Sequence, residues 1–235
     1  MTAEQNRRDF IAVAAGAAVI ATGAADALAQ QQASAPKPDY EIKKLPFDPA
    51  KVKGLSEKLL QSHWANNYSG AVKRLNAIAA QLAGLDFASA PVFLVNGLKR
   101  EELIATNSMI IHELYFDCLG GEGEPIGPLA EQIARDFGSV ARWKAEFAAT
   151  GKALGGGSGW VLLSWSPHDK RLVNSWANDH TMTIAGGRPI LALDMFEHAY
   201  AMDYGAKAAS YVDAFMHAIR WDAVTTRFET FSKQA

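Results

Sequence analysis

Apolar residues recur at three- and four-residue spacing from Leu55 to about Leu85, with alanines between them, and predict a long helix. Gly54 and Ser56 mark its start and Gly84 its stop. Asn67, Tyr68, Ser69 and Gly70 weaken the middle, so a bend or a break between two helices is expected there. A second helical stretch runs from Arg100 to about Leu119 and ends at GGEGEP. A third covers Pro128 to about Thr150, with a break signalled by Gly138 and Ser139. The pattern then changes. GWVLLSWS and RLVNSWAND are rich in Val, Leu and Trp, and the turn residues Pro167, His168, Asp169 and Lys170 separate them, so the pair predicts a hairpin. PILALDM predicts a buried strand ending at Asp194, and from about His198 to Phe228 the chain is helical again. Helices, three strands and helices in that order give an α+β fold with a small antiparallel sheet.

Residues 1–29 read as an export leader. Arg7 and Arg8 precede an Ala-rich apolar run from Ile11 to about Ala25, and Ala27-Leu28-Ala29 has the small-x-small form of a cleavage site. Adjacent arginines before a mild apolar core resemble a twin-arginine signal. The expectation is a periplasmic or exported protein without a stable membrane anchor after cleavage. A retained anchor is the competing reading, but the run is short and Asp26 interrupts its end. Residues 30–44 are rich in Gln, Ala and Pro and read as a linker. Two parts are expected to follow, a helical-hairpin domain at 45–124 and an α/β domain at 125–235. With 23 basic and 25 acidic side chains the net charge is −2, and no basic run points to a nucleic-acid partner. The single cysteine, Cys118, has no internal partner for a disulfide. Its neighbours Tyr115, Phe116 and Leu119 predict a buried thiol acting as a small apolar side chain.

Candidate chemistry centres on LDMFEHAYAMDY, where Asp194 and His198 stand four positions apart. His63 lies on the first predicted helix and His112 on the second. Three imidazoles and one carboxylate form an N3O set without thiolate, which suits iron, manganese or zinc better than a soft ion. Ligands taken from separate rigid elements resist changes of geometry. His168 in the hairpin turn and His217 on the last helix are expected to be exposed, and His180, just before the third strand, carries less weight than the four.

The flanking words are more specific than the spacing. LPFDPAKVKGLSEKLLQSHW, HELYFDCLGGEGEP, RDFGSVARWKAEF, GGGSGWVLL and LDMFEHAYAMDY together resemble the iron/manganese superoxide dismutases from about Leu45 to Phe228, with Phe196 where that family's signature usually has Trp. The resemblance implies a helical hairpin packed on a C-terminal α/β domain, a homodimer, and one Fe or Mn ion per subunit bound by His63, His112, Asp194 and His198. It implies dismutation of superoxide to dioxygen and hydrogen peroxide. It also implies that Glu197 bonds a ligand of the partner subunit, while Trp160 is expected to floor the pocket and Tyr200 is retained.

Several supporting residues depart from the family. A Tyr usually follows the first ligand by eight positions and a His by four, where Ala71 and Asn67 stand. A Tyr usually follows the fourth ligand by three, at Ala201. The two positions that supply a solvent-bonding Gln hold Gly156 and Ser108. Asn67, one helical turn beyond His63, and Tyr68 are the candidates to rebuild the network. Two alternatives follow from these changes. One is a dismutase-like metal-binding dimer without dismutase activity. The other, suggested by the small residues Ala71, Gly156 and Ala201, is an oxidoreductase acting on peroxide or a small organic reductant.

Overall fold

The computed structural model describes residues 37–234; the leader and residues 30–36 of the linker expected from the sequence lie outside the described residues. Ser56 opens the first helix, α1 (Glu57–Ser62), by accepting the Leu59 N–H at 3.1 Å. The chain does not break at Asn67–Gly70. It widens into a π-helical segment, His63–Tyr68, and tightens again into α2 (Ser69–Ala83). Ser69 holds the wide turn: its backbone N–H and its hydroxyl, at 2.9 Å, both reach the Trp64 carbonyl five residues back. A turn of this width places Tyr68, rather than Asn67, inward together with His63.

A loop at 84–91 leads into α3 (Val92–Asp117), which packs against α2. This helix starts eight residues before the expected Arg100. Pro91 caps it, and its first turn carries exposed Val92 and Phe93, which blur the apolar periodicity. The predicted break in the third stretch is present, separating α4 (Gly127–Phe137) from α5 (Val140–Ala153). Gly138 takes φ +89° there, a left-handed conformation that favours glycine, and Ser139 caps α5 through the Arg142 N–H at 3.0 Å.

The three strands are β1 (Trp160–Ser166), β2 (Arg171–Ala177) and β3 (Arg188–Asp194), antiparallel in the order β2-β1-β3. The central strand β1 is buried throughout, which explains its continuous apolar run. Its first residue, Trp160, pairs with Ala177 on one side and Asp194 on the other. Helix α3 packs on β3. A 3₁₀ turn (Glu197–Ala199) and helices α6 (Ala201–Tyr204), α7 (Ala208–His217) and α8 (Trp221–Lys233) complete the chain. The α+β class and the three-stranded antiparallel sheet are as expected from the sequence. Cys118 is fully buried, with its thiol pushed up to about 12 by that burial. Among the described residues no helix is long and apolar enough to cross a membrane.

Candidate metal centre

Four elements deliver one polar side chain each to a single point. His63 comes from the π-helical segment, His112 from α3, Asp194 from the last position of β3, and His198 from the 3₁₀ turn. One donor atom from each lies within 4.8 Å of all the others, close enough for a single ion to reach the set. Asp194 Oδ2 is the hub, at 3.1 Å from His63 Nε2, 3.2 Å from His198 Nε2 and 3.5 Å from His112 Nε2. His63, His112 and Asp194 are buried, and only His198 keeps some exposure, 27% of its side chain.

The donors are oriented as a metal-binding set could use them. His112 Nδ1–H donates to the Ser108 carbonyl at 2.6 Å, which leaves the Nε2 lone pair facing the other three groups. Asp194 Oδ1 accepts the Phe196 N–H at 2.8 Å, so Oδ2 is the oxygen left for the centre. His63 Nε2 and His112 Nε2 are buried without a hydrogen-bond partner, although His63 Nε2 is only 3.1 Å from the carboxylate. Short separation without hydrogen-bond alignment among buried nitrogens and a carboxylate is the arrangement an intervening cation would satisfy.

Burial lowers the pKa of both inner histidines. His112 falls to about 3, through desolvation first and the neighbouring His63 second, and His63 is also lowered, chiefly by desolvation. For Asp194 burial alone would raise the pKa, but the hydrogen bond with His198 and the close approach and charge of His198 and His63 override it, and the net shift is downward. At neutral pH the two inner imidazoles, His63 and His112, are therefore uncharged and the carboxylate is ionised.

These shifts predict how the metal-free protein responds to acid. His112 binds a proton near pH 6.5 when unfolded but only near pH 3 when folded. Between those values the unfolded chain binds more protons, so stability is full above about pH 6.5 and falls as pH drops. By pH 5, His112 alone is expected to remove about 2 kcal/mol. Asp194, whose folded pKa is depressed, withdraws its own contribution only below about pH 4. Urea midpoints of the chelator-treated protein between pH 7 and 5 check this; a flat profile there would contradict it.

The surrounding residues divide. Trp160 stands edge-on to His112, with ring centroids 5.1 Å apart. Its indole N–H donates to His180 Nδ1 at 2.9 Å. His180 also stacks on Phe196 at 4.8 Å, and Phe196 stacks on His198 at 5.5 Å. His180 is thus beside the centre, although its place in the sequence carries less weight than the four. Because Nδ1 accepts from the indole, the neutral ring carries its proton on Nε2. Tyr68, offered by the sequence as a group reaching the pocket, packs on Phe116 instead, and its hydroxyl accepts the Lys43 N–H at 2.9 Å and donates to Glu113 at 3.0 Å. Asn67 is half-buried, displaced from the face of His63 by the wide turn. Glu197 is exposed and Tyr200 buried. His168 and His217 are exposed, as expected. A cavity of about 550 Å³ is lined by Lys43, Trp64, Tyr68, Glu113, Phe116 and Arg188 among others, and none of the four ligand candidates lines it.

Residues 125–227 match the family described as iron/manganese superoxide dismutases, C-terminal domain. The superoxide dismutase [Fe] of Cupriavidus metallidurans is 69% identical over 189 residues, covering 80% of this chain and 96% of that protein. The chain belongs to the iron/manganese superoxide dismutase family. The superoxide dismutase [Mn] 1 of Halobacterium salinarum is 37% identical, covering 81% of this chain and 96% of that protein. The superoxide dismutase [Fe] of Aquifex pyrophilus is 34% identical, covering 79% and 89%. The dismutase signature of the sequence, read with Phe196 in place of Trp, thus carries the plate on which both His180 and His198 stack.

Proposed function

We propose that the chain dismutes superoxide to dioxygen and hydrogen peroxide at one Fe or Mn ion held by His63, His112, Asp194 and His198. The convergence of four donor atoms within 4.8 Å, two of them buried imidazole nitrogens without partners, carries this reading. When bound, the ion supplies one-electron chemistry, taking an electron from one superoxide and giving it to the next. The protein's contributions follow from its own atoms. Burial keeps His63 and His112 unprotonated, so acid does not compete for their lone pairs at neutral pH. Asp194 supplies the one negative protein charge against the cation. His180 presents an Nε2–H fixed by the Trp160 indole, and so supplies the hydrogen-bond donor that Ser108 and Gly156 do not. Elemental analysis with a superoxide assay tests the reading: stoichiometric metal without dismutation above that of the free ion would defeat it.

His180→Ala is expected to keep its metal and lose about 10- to 100-fold in kcat/KM, the range for losing a partner outside the ligand set. His180→Gln, which retains an N–H donor, is expected to recover part of that loss. Equal activity in parent and His180→Ala would remove the assigned role.

Iron is the proposed ion, supported by the 69% identity to a relative named for iron. The exposed Glu197 beside the partly exposed His198 supports the proposed homodimer, in which Glu197 meets the partner subunit. Sedimentation of the parent and Glu197→Ala checks it. The proposed division at 124/125 agrees with a family match that starts at residue 125. Export through a twin-arginine signal at 1–29 is proposed from Arg7, Arg8 and the cleavage motif, and Arg7→Lys with Arg8→Lys should retain the protein inside the cell.

A further inference from the structure

Four of the six tyrosines in the chain form one row that begins at the metal centre and ends near solvent. Tyr115 is fully buried, with its ring 5.1 Å from that of His63. The Tyr211 hydroxyl donates to the Tyr115 hydroxyl at 3.3 Å, and Tyr211 is fully buried as well. Tyr211 stacks on Tyr200 at 5.4 Å and lies 6.1 Å from Tyr204. Tyr204 is half-buried and its hydroxyl donates to the Gly54 carbonyl. Packing alone does not call for phenols at the two innermost positions. Phenylalanine fills nearly the same volume without burying a hydroxyl, and these hydroxyls have chiefly each other as partners. What phenol adds is chemistry: it can lose one electron and one proton to become a phenoxyl radical, which phenylalanine cannot do.

We propose that Tyr115, Tyr211 and Tyr204 form a relay that carries an oxidising equivalent from the metal centre to the surface, where a small one-electron donor quenches it. The inference rests on the dismutase reading, because the oxidant is that reaction's own product. Hydrogen peroxide meeting the reduced ion is cleaved at its O–O bond and leaves as two waters. Of the two electrons required, the ion gives one and Tyr115 the other. Of the two protons, Tyr115 gives one and solvent the other. Tyr211 then passes a hydrogen atom, electron and proton together, along the bond it already donates to Tyr115. Tyr204 then gives one electron to Tyr211 and releases its hydroxyl proton to solvent, while Tyr211 takes one proton back from solvent, so that Tyr115 and Tyr211 return to their starting state. The net product is one Tyr204 radical at the surface in place of a damaged ligand. The competing sink is Trp160, whose ring lies 5.1 Å from that of His112.

The metal-loaded protein treated with peroxide supplies the test, with freeze-quenched electron paramagnetic resonance and mass-spectrometric mapping of spin-trap adducts as readouts. The parent is expected to show a tyrosyl signal and an adduct on Tyr204. In Tyr211→Phe the Tyr204 adduct is expected to fall to the peroxide-free background, oxidation of Trp160 and the ligand histidines to rise, and peroxide to inactivate the protein faster. Superoxide dismutation should be unchanged. Tyr204→Phe leaves the interior intact and is expected to lose peroxide-dependent oxidation of guaiacol, again with dismutation unchanged. A Tyr204 adduct that persists in Tyr211→Phe, or guaiacol oxidation unaffected in Tyr204→Phe, overturns the relay. The superoxide assay reads the dismutase proposal separately: a protein that dismutes superoxide but forms no tyrosyl radical overturns the relay alone.

Discussion

Asp194→Ala is expected to strip the centre of stoichiometric metal and lower dismutation by more than the roughly 10- to 100-fold that loss of an outer partner costs. Asp194→Asn is expected to retain more metal than Asp194→Ala and still lose most activity. Asp194 Oδ2 is the atom nearest all three imidazoles, and its carboxylate is the only negative group in the set. Alanine removes both the donor and the charge and leaves three neutral nitrogens, a weaker site for a divalent or trivalent cation. Asparagine keeps the shape but must choose an orientation. With its carbonyl on the Phe196 N–H, which Asp194 now holds at 2.8 Å, its NH₂ points at the imidazole lone pairs and repels a cation. With its carbonyl toward the imidazoles, two N–H donors oppose each other at Phe196. Metal analysis and superoxide turnover on both variants decide the matter. Parent-like turnover in Asp194→Asn would remove the carboxylate's assigned role, and unchanged metal in both variants would dissolve the proposed centre.

The fold was legible wherever one physical signal governed the local chain. Strands β1, β2 and β3 lie where the Val-, Leu- and Trp-rich runs placed them, because a small sheet with a buried centre needs continuous apolar sequence. The Gly138-Ser139 break is present because a left-handed glycine followed by a serine cap stops one helix and starts the next. The start of α3 was misread because Val92 and Phe93 lie on its exposed face, where apolar residues carry no periodic message. The middle of the first helix reads from the sequence as a bend or a break between two helices. The polar residues there do perturb the helix, but Ser69 bonds the Trp64 carbonyl and converts the defect into a wider turn.

That same turn explains the uneven reading of the site. The four proposed ligands were visible because each stands in a distinctive word of the sequence, and the structure brings all four together. The choice of Asn67 assumed 3.6 residues per turn, and a π turn breaks that assumption. His180 was undervalued because its partners are distant in sequence: Trp160 lies 20 residues away and Phe196 belongs to another element. One signal could have raised its weight. A buried Trp seeks an acceptor for its indole N–H, and an imidazole beside a metal-binding cluster is well suited to be that acceptor.

Gly159→Ala is expected to cost about 2–4 kcal/mol and to lower activity even in the fraction that folds. A Cβ on Gly159 would lie 2.1 Å from the Ala177 carbonyl oxygen and 3.1 Å from its carbon, both backbone atoms that cannot rotate away. Its φ of +143° is also a conformation that alanine rarely adopts. Relief requires the start of β1 to move away from the end of β2. Trp160 is the next residue, pairs with Ala177 and Asp194, and holds His180 through its indole. The Gly159 carbonyl also accepts the Met195 N–H at 2.8 Å, so a shift passes directly to the residue after Asp194. One methyl group is therefore expected to disturb a proposed ligand and its nearest support together. Gly157→Ala is the control. Its Cβ would meet only the Leu154 carbonyl, at 3.5 Å, and the backbone there is unstrained, so stability should stay within about 0.5 kcal/mol of the parent. Urea unfolding, metal content and turnover per bound ion separate the two effects. A Gly159→Ala protein with parent stability and parent turnover per ion would show that this strand junction does not position the centre.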